Sequence, residues 1–200
     1  SYTLNEKFDI AKEHLLPKLV KEHGIKDGVL TIQDDALKNI IEEGIKQGHA
    51  NRDKYGINPI VRHLNTARLI TEYFYPDKNM VIAVLLYQFC KSEYITPENV
   101  EEEFGNDIFS LVNGLLKVSQ LYKKQTALRN ENFSKLMMAF AENIRVIIIM
   151  IIDRLGLMKM INHHPNQKFV YDVASEVLYL YAPLAHRLGL YKIKSELEDM

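Results

Sequence analysis

The chain has 200 residues, 47% of them hydrophobic and 26% charged, with a formal net charge of -1; this is the profile of a globular protein with one core or at most two, and it argues against a dedicated nucleic-acid surface. A single cysteine, Cys90 in an apolar stretch, rules out an internal disulfide framework and fits a reducing, cytoplasmic setting. No basic-then-apolar leader opens the sequence, and the longest apolar run, Val146–Ile152, is too short to span a bilayer, so neither a signal peptide nor a membrane segment is expected.

Helical spacing dominates from there on. Leu37, Ile40, Ile41 and Ile45 form one apolar stripe, with Thr31 ahead of it and Asp34 three residues on as a capping-box-like start. The next helix is predicted over Pro59–Phe74, stopped near Pro76, and a strongly apolar one over Met80–Cys90. Thr96-Pro97 places an N-cap before proline at the first helical position; Val100 and Phe104 then share a face, and Gly105 ends that short helix. Ile108–Leu121 follows. Lys123–Glu131 is polar, lacks a hydrophobic stripe and is expected to be the most mobile internal loop. Phe133–Met160 reads as one long helix and Phe169–Leu188 as another, before Gly189 breaks the chain. The β-branched run Val146–Ile149 competes as a strand, but Met137, Met138, Phe140, Ala141 and Ile144 lead into it at helical spacing. The fold class expected is all-α, without repeats. Glu196–Met200 carries no C-terminal stop, which reads as a fragment of a longer protein with Tyr191, Ile193 and Leu197 partly exposed or in a dimer contact.

Several stretches have a pattern of their own. Glu101-Glu102-Glu103-Phe104-Gly105 with Leu111–Ser119, Asn132–Met138 with Ala141–Val146, Asp153-Arg154-Leu155, and Tyr181–Gly189 with Lys194–Asp199 together resemble the hydrolase half of RelA/SpoT proteins, which make and destroy the alarmone (p)ppGpp. The resemblance runs from about Gly56 to Met200. It implies an HD-type helical bundle over residues 1–188, with 189–200 as the start of a linker helix to a synthetase domain outside this sequence.

The family's hydrolase resembles other HD phosphohydrolases in holding one divalent metal, usually manganese, with a His, an adjacent His-Asp pair and a later Asp. A Glu-Asp pair shortly after the His-Asp serves proton transfer and water positioning. Here the first His position falls on Arg62, the His-Asp on Tyr87 and Gln88, and the Glu-Asp on Lys91 and Ser92. Only the last ligand is kept, as Asp153, and the family's following His-Asn is Gly156-Leu157. His63 stands one position from Arg62, a rotation of about 100° that is expected to turn it away from the ligand direction. Arg and Lys repel a cation, a Gln amide is a poor ligand and Tyr an unusual one, so no metal, no cofactor and no catalytic residue is expected. Arg62, with Lys91 as second choice, is expected to take the metal's place beside Asp153, because a buried carboxylate needs a cation or a proton.

Other features divide between binding and packing. The family's guanine-stacking Arg position falls on Asp53; Arg52, Lys54, Lys117 and Arg154 remain as candidate nucleotide-binding residues, against a solvated charged turn at 52–56 and a structural ion pair at Arg154. Arg145 has the same ambiguity. His163-His164 lacks further ligands at useful spacing and reads as a helix-entry loop, His186 as a core or interhelical hydrogen-bonding residue, and Cys90 as a buried free thiol. Met137, Met138, Met150, Met158 and Met160 are core filling or a partner face. The resemblance implies a regulatory pseudo-hydrolase domain of a GTP pyrophosphokinase. Its partners would be the synthetase half, a guanine-nucleotide effector and, for the whole protein, the ribosome. The rivals are a weak metal phosphohydrolase using Asp153 with His63, and a pure scaffold.

Overall fold

In the computed structural model residues 31–74, 77–124 and 143–200 are described, and among them every regular element is helical, the all-α class read from the spacing. In chain order the helices are α1 (Thr31–Lys46), α2 (Pro59–Tyr73), α3 (Lys78–Lys91), α4 (Pro97–Phe104), α5 (Asn106–Lys124), α6 (Ile144–Ile161), α7 (Gln167–Glu176), a π-helical turn (Val177–Tyr181), α8 (Ala182–Arg187) and α9 (Tyr191–Glu198). Two compact units divide the chain, Ser1–Val112 and Asn113–Met200. No helix among the described residues is long and apolar enough to cross a membrane.

The first unit is built around α3. Met80 to Leu86, Phe89 and Cys90 are all buried, and a helix that is apolar on every side has to lie inside a core. α1 and α2 pack on it. In α2 the buried residues Ile60, His63, Leu64, Ala67 and Ile70 recur at helical spacing. Local chemistry sets the helix ends. The Asn58 side chain accepts from the N–H groups of Ile60 and Val61 at the start of α2, and Asp77 does the same for Asn79 and Met80 at the start of α3. Thr96 and Asn99 form a full capping box across Pro97, and Gly105, at φ 88°, closes α4 as expected. Thr31 already belongs to α1, so the helix begins no later than the expected cap.

Gly44 permits the close approach of α1 to α3. A Cβ there would lie 2.5 Å from Cδ1 and Cε1 of the Phe89 ring and 3.1 Å from Tyr94 Cδ1. Phe89 is fully buried and has no free direction to move in. Gly44→Ala is therefore expected to destabilise the unit by about 1–3 kcal/mol despite its better helix propensity. Urea unfolding checks this, and an unchanged or raised midpoint would refute the contact.

In the second unit α6 is the central helix, with Val146, Ile147, Ile149, Ile151, Ile152, Leu155, Leu157, Met158 and Ile161 buried and α7, α8 and α9 packed against it. Three expectations are corrected here. The helix predicted over Phe133–Met160 does not run through Asn143, which is extended at φ -153° and ψ 107° and caps α6 by accepting from Arg145 N–H. Asn favours such a cap over a helix interior because its side chain competes for backbone donors. Residues 133–142 lie outside the described residues, as do 125–131 of the expected mobile loop, whose first residues Lys123 and Lys124 are helical. The single helix expected over Phe169–Leu188 contains the π turn: Ala182 N–H reaches back to the Val177 carbonyl just before Pro183. Pro183 has no N–H and crowds the preceding turn, and a widened turn relieves that clash. Third, Ile193 and Leu197 are buried, at 3% and 1% exposure, and only Tyr191 is exposed, at 64%. The apolar face of α9 is covered within the unit by α8, the π turn and α6, and Lys159 Nζ reaches Glu196 Oε2 at 2.9 Å beside it.

Candidate functional site

Tyr87 and Gln88 occupy the late turns of α3, both half-buried. The Gln88 amide nitrogen donates to the His49 carbonyl at 3.1 Å, a link across 39 positions of sequence. The His49 ring in turn lies 4.8 Å from that of Tyr94, whose backbone N–H donates to the Phe89 carbonyl. The Tyr87 ring meets His63 edge-on, centroids 5.5 Å apart, and carries the exposed Lys91 ammonium 5.6 Å above its face. Ser92 caps α3, its hydroxyl donating to the Phe89 carbonyl. Tyr87, Gln88, Lys91 and Ser92 thus all take part in packing or hydrogen bonding around the end of α3. Arg62 sits half-buried on α2, its carbonyl accepting from the Thr66 hydroxyl.

His63 departs from expectation. It is 8% exposed and faces Tyr87 rather than turning away. The buried stripe of α2 is broad enough to include His63 with Ile60, Leu64 and Ala67, and that stripe is the one packed on α3.

The segment before α2 is held by its own charges. Asp53, at the expected base-stacking position, accepts from Tyr55 N–H at 2.8 Å and Ile57 N–H at 3.0 Å through one carboxylate oxygen. Arg52 donates to the Gly56 carbonyl at 2.9 Å, and Lys54 lies 4.9 Å from the Tyr55 ring centroid. Gly56 has φ 78°, the left-handed conformation that glycine adopts without strain. Arg52 and Lys54 are exposed, with their charges on the outside of this turn. Lys117 is exposed on α5.

In the second unit Asp153 is half-buried on α6. Its neighbour Arg154 pairs with Glu176 at 3.2 Å and lies 5.3 Å from the Tyr181 ring. Arg145 is half-buried in the first turn of α6. His164 belongs to the turn entering α7: its Nδ1 accepts from Asn166 N–H, and its ring packs edge-on against Phe169. His186 is exposed, not in the core, because the face of α8 that carries it is turned outward; its ring edge meets Tyr191. Met158 is buried, Met150 half-buried and Met160 exposed, while Met137 and Met138 lie outside the described residues. Cys90 is buried, and burial pushes its thiol up to about 12, which removes it as a nucleophile at neutral pH.

The donor set does not fit the divalent metal that the HD resemblance implies. At the four positions that the resemblance implies for metal ligands stand a phenol, a carboxamide bonded to a backbone carbonyl, a guanidinium and one carboxylate. Among the described residues no three His, Cys, Asp or Glu side chains are grouped to hold an ion. Sequence reasoning missed His49 and Tyr181. The first acts through its backbone carbonyl, which no side-chain pattern registers, and the second through a buried ring face that meets Arg154 only in the fold.

Residues 43–191 match the family described as HD domain. The chain is 36% identical over 159 residues to a guanosine-3′,5′-bis(diphosphate) 3′-pyrophosphohydrolase of Aquifex aeolicus, covering 78% of this chain and 22% of that one. It is 31% identical over 210 residues to a putative chloroplastic GTP diphosphokinase of Oryza sativa subsp. japonica, covering 98% and 23%. It is 29% identical over 173 residues to the bifunctional (p)ppGpp synthase/hydrolase SpoT of Escherichia coli, covering 84% and 24%. The chain thus spans about a quarter of the length of these curated relatives.

Proposed function

Because the chain belongs to the HD-domain family, in its RelA/SpoT branch, we propose that it is a (p)ppGpp hydrolase-type domain that has lost metal-dependent hydrolysis and serves as a regulator. The observation that carries this reading is the state of Tyr87 and Gln88. The first is packed between His63 and Lys91, and the second is hydrogen-bonded to His49, so both residues at the family's His-Asp positions are committed to holding the first unit together. In this reading residues 1–188 form the pseudo-hydrolase and 189–200 begin the linker to a synthetase half, which would move pyrophosphate from ATP to GTP or GDP. That half is the proposed partner, in the cytoplasm, with a guanine nucleotide as a candidate effector and the exposed Arg52 and Lys54 of the first unit as its candidate contacts.

A second reading, a working hydrolase, draws support from the hydrolase names of several relatives. Calorimetric titration with Mn²⁺ separates the two. The regulatory reading expects no saturable heat up to millimolar ion. Saturable binding lost on Asp153→Ala favours the hydrolase.

A further inference from the structure

Gln88 does more than fail as a ligand. Its amide closes on the His49 carbonyl, and His49 opens the loop that runs from the end of α1 to Asn58, the N-cap of α2. The loop is anchored along its length. Ala50 and Ile57 are buried, Asp53 ties the 53–57 turn through its carboxylate and its own N–H, and the His49 ring packs on Tyr94 just past α3. Between those anchors Asn51 to Lys54 and Gly56 stand exposed, with the charges of Arg52, Asp53 and Lys54 at the tip.

We propose that Gln88 is an internal latch: the side chain at the family's Asp position fastens the loop of residues 49–57 to the end of α3, so that the order of this loop depends on neither ion nor ligand. The inference rests on the reading that Gln88 occupies that ligand position. Its chemical basis is the donor. A carboxamide offers an N–H to a carbonyl oxygen; an ionised carboxylate offers only lone pairs and would face that oxygen with like charge. Replacing Gln88 by the family's Asp would therefore release the loop without making a metal site, because Tyr87 and Arg62 still stand at the neighbouring positions. The latch thus makes the loss of the site self-reinforcing. It also fixes where the Arg52 and Lys54 charges are presented to any anionic partner.

Native-state hydrogen exchange on wild type, Gln88→Glu and Gln88→Met tests the latch. Glu keeps the length of Gln and removes the donor at neutral pH; Met keeps the bulk and removes all polarity. Amides of residues 49–57 are expected to exchange about tenfold faster or more in both variants, while those of α6 stay within about twofold of wild type. Addition of Mn²⁺ or EDTA to wild type is expected to leave loop exchange unchanged. The proposal is overturned if Gln88→Met leaves the loop at the wild-type rate, if the acceleration is the same throughout α2 and α3, or if Mn²⁺ slows loop exchange in wild type. Hydrolytic activity in the wild type would sink the regulatory reading while leaving these exchange rates free to support or refute the latch.

Discussion

The purified chain is expected to release no pyrophosphate from (p)ppGpp above background, with or without Mn²⁺, and Asp153→Ala is expected to change nothing. Hydrolysis at neutral pH in an HD site needs a metal-activated water, since coordination brings the pKa of water from about 15.7 toward 7 and supplies several kcal/mol of charge stabilisation. That ion needs at least three good donors held in place. In the first unit the phenol of Tyr87 is a neutral group engaged by a histidine edge and an ammonium, and the Gln88 amide is turned to a carbonyl. Lys91, at a position that serves proton transfer in the family, carries a positive charge into the same neighbourhood. The combined loss corresponds to a rate lower by on the order of 10⁴-fold or more than that of a metal-loaded relative. A pyrophosphate-release assay with radiolabelled (p)ppGpp checks it. Turnover that rises with Mn²⁺ and disappears in Asp153→Ala would contradict the reading.

Most of the fold was legible because helix periodicity and caps are local. Pro59, Thr96-Pro97 and Gly105 mark ends that the structure keeps, and the apolar run Met80–Cys90 became the buried centre of the first unit. What was not legible depended on tertiary contact or on competition between local rules. Asn143 interrupts a pattern whose apolar spacing continues on both sides, and the periodicity outvoted the cap. The π turn before Pro183 arises from one missing N–H, which no hydrophobic pattern registers. Ile193 and Leu197 looked uncovered because α9 was read alone, whereas α6 and α8 cover them. In the candidate site motif order singled out Tyr87, Gln88, Lys91 and Ser92, but it did not give the contacts they make. A glutamine gives no sign in sequence that it will bond to a carbonyl 39 residues away. His63 was assigned a direction from one rotation angle when the width of the buried stripe decides it.

Tyr181→Ala is expected to lower stability by about 3–5 kcal/mol, the cost of removing a large aromatic side chain from a close-packed interior. Tyr181 is 1% exposed and heads the largest fully buried side chains of the described chain. It ends the π turn, and Pro183 two residues on keeps the backbone from closing back over the void. The ring also supports Arg154, whose guanidinium carbon lies 5.3 Å from its centroid and whose charge meets Glu176. Deleting the ring leaves a half-buried guanidinium with an apolar void on one side, so part of the loss is electrostatic. Arg154 follows Asp153 on α6, so the same ring supports the turn of α6 that carries both residues. Tyr181→Phe keeps the packing and is expected to cost no more than about 1.5 kcal/mol, the usual worth of a hydroxyl hydrogen bond. Urea titrations of the two variants followed by circular dichroism separate the terms. A loss below about 1 kcal/mol for Tyr181→Ala, or equal losses for both variants, would show that the ring does not hold this part of the second unit together.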